Sequence, residues 1–470
     1  MFYRFLYRFL MELTDILTIT QEIHIRKNRF GKGSLVMAEI NHAVKGTNDV
    51  TPENSHKWQF VEQKMLSTAK QYGYREIRIP VFEHTEVFTR SVGDTTDVVQ
   101  KEMYTFDDKG GRSITLRPEF TAGVIRSAIE NGLVNGTLPV KACYIGGCYR
   151  YEKPQAGRLR EFHQFGVECL GATSPSADAE TICLANSVLE NIGIENLSLE
   201  INSIGCPDCR KEYHKALKEY FTSNIDNLCD TCKDRLNRNP MRILDCKSPI
   251  CKKICENAPV VIDFLCDGCK KHFELVKQHL TAAGLKYSVN PHIVRGLDYY
   301  TKTVFEFVSG KIGAQSTVCG GGRYDGLVAQ MGGPSVEGVG FAMGIERLML
   351  VMEACKTPFP EVEPADIYFV TMGESAGIKA TELCAALRRE GFEALSDICG
   401  RSLKAQMKYA NKIGAKYTCV LGDSELSQNT ARLKNMKDGT ETEISLDNII
   451  DEVYALVLQD AQKEIADTEF

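Results

Sequence analysis

Apolar and polar positions alternate along the 470-residue chain in two different rhythms. In "WQFVEQKMLSTAKQYGY" the apolar residues Phe60, Val61, Met65, Leu66 and Ala69 recur at helical spacing, which predicts an amphipathic helix. "YREIRIPVFEHTEVF" then alternates with period two through Tyr74, Ile77, Ile79 and Val81, which predicts a strand. Pro80 cannot donate to a ladder, so that strand belongs at an edge or an interface. "KACYIGGCYRYEK" and "EFHQFGVECLG" predict two strands joined by the loop "PQAGRLR", and "SADAETICLANSVLENIGI" predicts a helix. "HIVRGLDYYTKTVFEFVS" reads as a turn followed by a strand, and "VEGVGFAMGIERLMLVME" as a strand entering a helix. From "EPADIYFVTMG" onward, strand, helix, helix and strand alternate, the signature of a small α/β domain.

Parity sharpens the hairpin "YRYEKPQAGRLREFHQFGVE". Alternate residues of a strand share a face. Arg150 and Glu152 share one on the first strand; Phe162, Gln164, Gly166 and Glu168 share one on the second. If the faces coincide, the surface carries a guanidinium, an aromatic plate, an amide and two carboxylates. That set suits a nucleotide with a charged companion, because arginine forks onto phosphate and an aromatic ring stacks on a base. A solvated charged hairpin fits the same pattern, and parity alone leaves both open.

The chain is too long for one core at about 100–200 residues per domain. Its hydrophobic content of 43%, charged content of 25% and net charge of −6 are those of a globular protein whose nucleic-acid contacts must be local basic patches. Arg4, Arg8, Glu12 and Asp15 interrupt the apolar N-terminus, so neither a signal peptide nor a membrane span is expected, and the chain reads as cytoplasmic. No GxxxxGK[ST] occurs, which excludes a P-loop. Of the 18 cysteines, nine lie between positions 206 and 269. In that compartment they are thiols or metal ligands. Cys206-x2-Cys209 and Cys229-x2-Cys232 have the spacing of a four-thiolate zinc site, with small buried thiols as the alternative.

Taken together, these stretches resemble the histidyl-tRNA synthetase family of class II aminoacyl-tRNA synthetases, from about Ala43 to about Tyr454. "QYGYREIRIPVFE" is similar to motif 1, the dimer-forming element. "YRYEKPQAGRLREFHQFGVE" is similar to motif 2, and "GVGFAMGIERL" to motif 3. "VRGLDYYTKTVFE" and "GGGRYDGL" resemble the two histidine-specific signatures, and "GRSLKAQMKYANKIGAKYTCVLG" resembles the anticodon-binding domain.

The resemblance implies an α+β fold: an antiparallel catalytic sheet flanked by helices, a Cys-rich insertion and a C-terminal α/β domain. The expected divisions are an extension over 1–40, catalytic core over 41–172, helix and insertion over 173–290, core again over 291–358, anticodon-binding domain over 364–458 and a tail over 459–470. Residues 1–36 fall outside the family pattern and are expected to be a start-site artefact or a loose tail. The implied partners are L-histidine, ATP with Mg2+, histidine tRNA and a second copy of the chain.

The resemblance also assigns roles. Arg150 and Arg295 are expected on the α-phosphate, and Arg347, helped by Arg158, on the γ-phosphate. Phe162 is expected to stack on adenine and Glu152 to read its edge. Glu83, Thr85 and Gln164 are expected to hold the α-ammonium of histidine. Glu168 and Tyr300 are expected to bond the imidazole nitrogens, with Tyr299 beside them. The family's catalysis does not need zinc, so no metal ligand is assigned. Two rivals remain at this point. One is a non-catalytic histidine-binding paralogue of the ATP phosphoribosyltransferase regulatory subunit type, which is expected to have eroded arginines and no anticodon-type domain. The other is a zinc-ribbon nucleic-acid-binding protein.

Overall fold

The computed structural model describes residues 42–93, 96–244, 246, 248–293, 295–310 and 317–468. The expected N-terminal extension over 1–40 lies outside them. The chain divides into two compact units, Met1–Pro360 and Glu361–Phe470.

The first unit is built on an eight-stranded sheet in the order β1-β5-β6-β11-β10-β9-β7-β8. Its strands are β1 (Arg75–Glu76), β5 (Val140–Tyr149), β6 (Glu161–Leu170), β7 (Leu197–Ser203), β8 (Ser288–Val289), β9 (Thr301–Ser309), β10 (Thr317–Arg323) and β11 (Gly338–Gly344). A small sheet of β2 (Phe82–His84), β4 (Ser113–Leu116) and β3 (Thr105–Asp107) stands beside it. The central strands β5, β6, β11, β10, β9 and β7 are antiparallel throughout.

The longer helices of this unit are α1 (Pro52–Gln71), α2 (Thr85–Val92), α3 (Thr121–Glu130), α4 (Pro175–Asn191), α5 (Pro207–Ser223), α6 (Asp230–Arg238), α7 (Pro249–Cys255), α8 (Asp267–Ala282) and α9 (Ile345–Cys355). Odd-numbered sheet residues face the helical layer. Phe165, Val167, Phe305, Phe307, Phe341 and Met343 pack with Val61 and Met65 of α1, Ile182 and Val188 of α4, and Val276 and Leu280 of α8. Burying that apolar surface is the main stabilising term of the unit, at about 25 cal/mol per Å². It also commits the even-numbered residues to the opposite face.

Two expectations change here. The strand expected through Tyr74–Phe88 is broken: β1 covers only Arg75–Glu76, residues 77–81 have no regular structure, and α2 starts at Thr85. Pro80 in mid-run, with no N–H to donate, is the physical reason. The first motif 2 strand stops at Tyr149, so Arg150 and Glu152 leave it and follow the loop. In addition, α4, β7, α8 and β8 of the expected 173–290 division pack on or within the main sheet. The Cys-rich part runs from the end of β7 into the first turn of α8.

The second unit has a five-stranded sheet, β13-β12-β14-β15-β16. Its strands are β12 (Ile367–Thr371), β13 (Ala394–Ser396), β14 (Tyr417–Leu421), β15 (Thr430–Asn435) and β16 (Glu441–Ser445). Its longer helices are α10 (Glu374–Arg389), α11 (Leu403–Lys412) and α12 (Ile449–Thr468). Ile367 and Phe369 face α10 and α12, while Tyr368 and Val370 face α11. Alternate residues of one strand thus feed two cores, which is why "DIYFV" is apolar throughout. The expected tail from 459 is helical through Thr468.

One buried ion pair ties the first unit's layers together. Arg323 of β10 and Asp178 of α4 are both fully buried, and Arg323 donates to both oxygens of Asp178. Burial alone would push the Asp178 carboxyl up, but His272 of α8 and Arg323 hold it below the usual range. Removing Asp178 leaves the buried Arg323 charge with Asp325, which is partly exposed, as its remaining carboxylate partner among the described residues, at a cost of about 3–5 kcal/mol. Asp178→Ala is therefore expected to lower the stability of the first unit by that amount in urea unfolding. A loss under about 1 kcal/mol would show the pair to be dispensable.

Candidate active site

A cavity of about 270 Å³ opens on the even-numbered face of the large sheet. Arg150, Phe162, Gln164, Arg295, Tyr299, Tyr300 and Arg347 all line it. The register explains the convergence. Phe162, Gln164, Gly166 and Glu168 of β6 stand opposite Cys148, Gly146, Tyr144 and Ala142 of β5. On the other side Gln164, Gly166 and Glu168 stand opposite Gly344, Ala342 and Gly340 of β11. Small residues keep this face open. A Cβ at Gly320 would collide with the Arg295 guanidinium, and one at Gly340 would collide with the Glu168 carboxylate.

Three arginines are fixed here by acceptors outside the cavity or at its wall. Arg150 Nε donates to the Pro118 carbonyl at 2.8 Å, and its guanidinium lies 5.1 Å from the Phe162 ring centroid. Arg347 donates to the Thr317 carbonyl at 2.6 Å and the Gly157 carbonyl at 3.1 Å. Arg295 pairs with Glu306 of β9, while its buried Nε has no acceptor among the described residues. Burial disfavours the Arg295 charge, but Glu306 more than offsets this and raises its pKa. Burial and the neighbouring Arg158 pull the pKa of Arg347 down. Cations held in a low-dielectric pocket, with anchors that do not neutralise all of them, favour a polyanion.

Glu168 is the chemically unusual group. It is 1% exposed and accepts from Thr121 Oγ1 at 2.7 Å, from Tyr144 at 3.1 Å and from Tyr324. Desolvation pushes its pKa up to about 8, against the pull of those hydroxyls. Glu152 and Arg158 do not line the cavity; they pair with each other at 3.2 Å in the loop beside Arg347. Glu346, at the start of α9, accepts from His163 N and contacts His163 Nδ1 at 2.9 Å, which raises the His163 pKa.

Two expected site residues sit elsewhere. Glu83 is held by Arg126 of α3, and Thr85 bonds Ser113 and Thr115 at 2.8 and 2.9 Å under a different surface hollow. Neither lines the cavity. A carboxylate and a hydroxyl two residues apart do line it, but they are Glu119 and Thr121. Glu119 accepts from the backbone N–H groups of Thr121 and Ala122 at 2.7 and 2.9 Å, capping α3. Burial raises its pKa despite those bonds. The signal in "RPEFTAG" was a helix start, Pro-Glu before a helix-forming run. Tyr324, in "GGGRYDGL", was a second missed member.

The described residues contain no helix long and apolar enough to cross a membrane. An antiparallel sheet bearing an arginine-lined cavity, together with a separate α/β unit, is the architecture that the resemblance to class II aminoacyl-tRNA synthetases implied. The family description "Histidyl-tRNA synthetase" matches residues 46–208 and 265–348, and "Anticodon binding domain" matches 366–456. A histidine–tRNA ligase of Acetivibrio thermocellus is 55% identical over 411 residues, 87% of this chain and 99% of its own length. One of Clostridioides difficile is 51% identical over 415 residues, 88% of this chain and 99% of its own. The apo histidyl-tRNA synthetase of S. aureus superposes with a TM-score of 0.76 at 40% identity, covering 88% of this chain and 99% of that one. The chain belongs to the histidyl-tRNA synthetase family.

The elevated Glu168 pKa has a measurable sign. Between its ordinary value of 4.5 and about 8, the folded protein holds this proton more tightly than the unfolded chain. Its contribution to stability is therefore lost as pH rises through that window. Glu168→Gln cannot lose that proton, so its melting temperature relative to wild type should be higher at pH 9 than at pH 6. An offset independent of pH would show that Glu168 titrates normally.

Proposed function

We propose that this chain ligates L-histidine to histidine tRNA, using MgATP. The histidine carboxylate attacks the α-phosphorus of ATP, forming histidyl-adenylate as pyrophosphate leaves. The 3′-terminal ribose hydroxyl of the tRNA then attacks the activated carbonyl and releases AMP. The observation that carries this reading is one cavity lined by Arg150, Arg295 and Arg347, whose wall residues Thr121 and Tyr144 both donate to the buried Glu168 behind them.

Arg150 and Arg295 neutralise charge on the α-phosphate as the fifth bond forms, and Arg347 receives the γ-phosphate. Their carbonyl and carboxylate anchors pre-set these positions, so little reorganisation accompanies the reaction. Phe162 has Arg150 on one face and offers the other to adenine, with Glu152 and Arg158 in the adjoining loop. Buried Glu119 and Thr121, with half-buried Gln164, take the α-ammonium in place of Glu83 and Thr85. Glu168 and Tyr300 take the two imidazole nitrogens, with Tyr299 packed against Tyr300. An apolar analogue would leave those polar groups unpaired, which is a strong basis for rejecting it.

The second unit is read as the anticodon-binding part, and the loop "PQAGRLR" as a candidate for the acceptor end of the tRNA. The chain is read as a cytoplasmic homodimer. Val81, Phe82 and Phe106, exposed by 41%, 57% and 49% around the small sheet, support an apolar contact with a second copy. The three retained arginines and the anticodon-type unit favour a ligase over the regulatory-subunit reading. The likeness to a Bacillus halodurans protein whose name joins both, at 21% identity and a TM-score of 0.58, reflects fold alone.

Aminoacylation with histidine and tRNA tests the reading directly; no charged product from folded protein would refute it. Within it, Arg295→Ala should cut histidine-dependent ATP–pyrophosphate exchange by about 10²-fold or more while the fold persists. Near-normal exchange would remove Arg295 from the chemistry. Glu119→Ala should raise the KM for histidine well above any change in that for ATP. Glu83→Ala should leave both near wild type; the opposite ranking would restore Glu83 to the site.

A further inference from the structure

Eight of the nine cysteines between 206 and 269 form two separate groups of four. The first is Cys206, Cys209, Cys266 and Cys269; the second is Cys229, Cys232, Cys246 and Cys251. The sequence spacing had placed Cys206, Cys209, Cys229 and Cys232 together, and the fold separates those two pairs. In each group all four sulfur atoms lie within 4.8 Å of one another. Cys206 and Cys209 Sγ are 3.5 Å apart, and Cys229 and Cys246 Sγ are 3.8 Å apart.

Those separations match one coordination geometry. A tetrahedral ion with metal–sulfur bonds of about 2.3 Å has sulfur–sulfur edges of about 3.8 Å. A disulfide would need about 2.05 Å. Four sulfurs gathered around one point also differ from what pairwise bridging would produce.

The surroundings are those of thiolates. Cys206, Cys229 and Cys266 are the N-cap residues of α5, α6 and α8, so the positive helix ends lie at the sulfurs. The Cys266 N–H donates to Cys209 Sγ at 3.1 Å, and the Cys229 N–H to Cys251 Sγ at 3.3 Å. Such N–H donors orient and stabilise sulfur ligands from outside the coordination sphere. Four thiolates on a divalent ion leave a charge of about −2 at each site, and Arg210, Lys233, Lys252 and Lys270 directly follow four of the ligands. The ninth cysteine, Cys255, is the contrast: its thiol belongs to neither group and points to the Ile243 carbonyl at 3.4 Å.

We propose that this segment binds two structural Zn2+ ions, one in each four-thiolate group. Zinc suits the closed all-sulfur set, which has no open position for chemistry. The first ion staples the start of α5 to the start of α8; the second ties α6 to α7 and the turn before it.

Both stapled segments touch the stretch that carries Arg295 and the two tyrosines. Arg210, next to Cys209, donates to the Tyr300 carbonyl at 3.1 Å, and Lys302 N donates to the Gly205 carbonyl at 2.9 Å. Arg242, between the two halves of the second group, reaches Asp298 at 2.7 Å and the Gly296 carbonyl at 2.8 Å. The zinc ions are thus positioning elements for residues 295–302; this consequence, unlike metal binding itself, rests on the proposed function.

The test is metal analysis of the full-length protein, purified under reducing conditions without chelator. Two zinc ions per chain are expected. Cys266→Ser/Cys269→Ser and Cys246→Ser/Cys251→Ser should each retain one. Chelation should lower the melting temperature of wild-type protein, and added zinc should restore it. Zinc near zero in folded wild-type protein, iron in its place, or full zinc content in either double variant would overturn the proposal. Wild-type metal content decides the matter even if the variants do not fold. On partial metal removal, KM for histidine should rise several-fold with kcat for ATP–pyrophosphate exchange less affected. Zinc bound with both constants unchanged on its removal would overturn the positioning role alone and leave the ligase reading intact.

Discussion

In the first unit, titratable side chains lie flat against the β-sheet where the sheet gives up side chains of its own. That constraint governs the unit. One face of the eight-stranded sheet is filled with aromatic and branched residues and sits under helices. The other carries Gly166, Gly320, Gly340 and Ala342 at facing register positions. Room made by missing β-carbons is occupied by the Arg295 guanidinium and the Glu168 carboxylate. The apolar face supplies the stability that lets the polar face remain incompletely packed, a division of labour that a two-layer architecture permits. The Arg323–Asp178 pair crosses from sheet to helical layer and fixes one against the other.

Local periodicity made much of this visible in the sequence. Strand parity put Phe162, Gln164 and Glu168 on one face, and the β5–β6 register agrees. The strand-to-helix passage at Gly344 and the alternation of the second unit were equally plain. What escaped was information held in long-range contacts. Glu83 and Glu119 both follow proline-containing strand-like runs. Only the fold shows that Arg126 claims the first while the second caps α3 at the cavity. Likewise, the spacing of two Cys-x2-Cys pairs identifies ligand chemistry but not which pairs meet. Cys209 meets the Cys266 backbone 57 residues away, not the nearer Cys229.

The Cys-rich segment is also where the family description is interrupted, between 208 and 265. It nevertheless shares a core with the signature tyrosines: Tyr213, Leu217 and Phe221 pack in the same cluster as Tyr299, Tyr300 and Tyr324. An insertion that contributes to a common core is mechanically part of the unit it enters. Its sequence can diverge while its contacts at Arg210 and Arg242 remain constrained by what they support.

Glu346 binds the His163 backbone N–H and ring together, one residue from Phe162 and one residue from Arg347. Strand β6 and helix α9 are thereby clamped at the point where their two cavity-lining side chains diverge. The gap between the ring and the guanidinium behaves as a fixed gauge. A ligand bridging them is measured for length as well as for charge, and the segment over residues 150–160, between the two strands, lies outside that clamp.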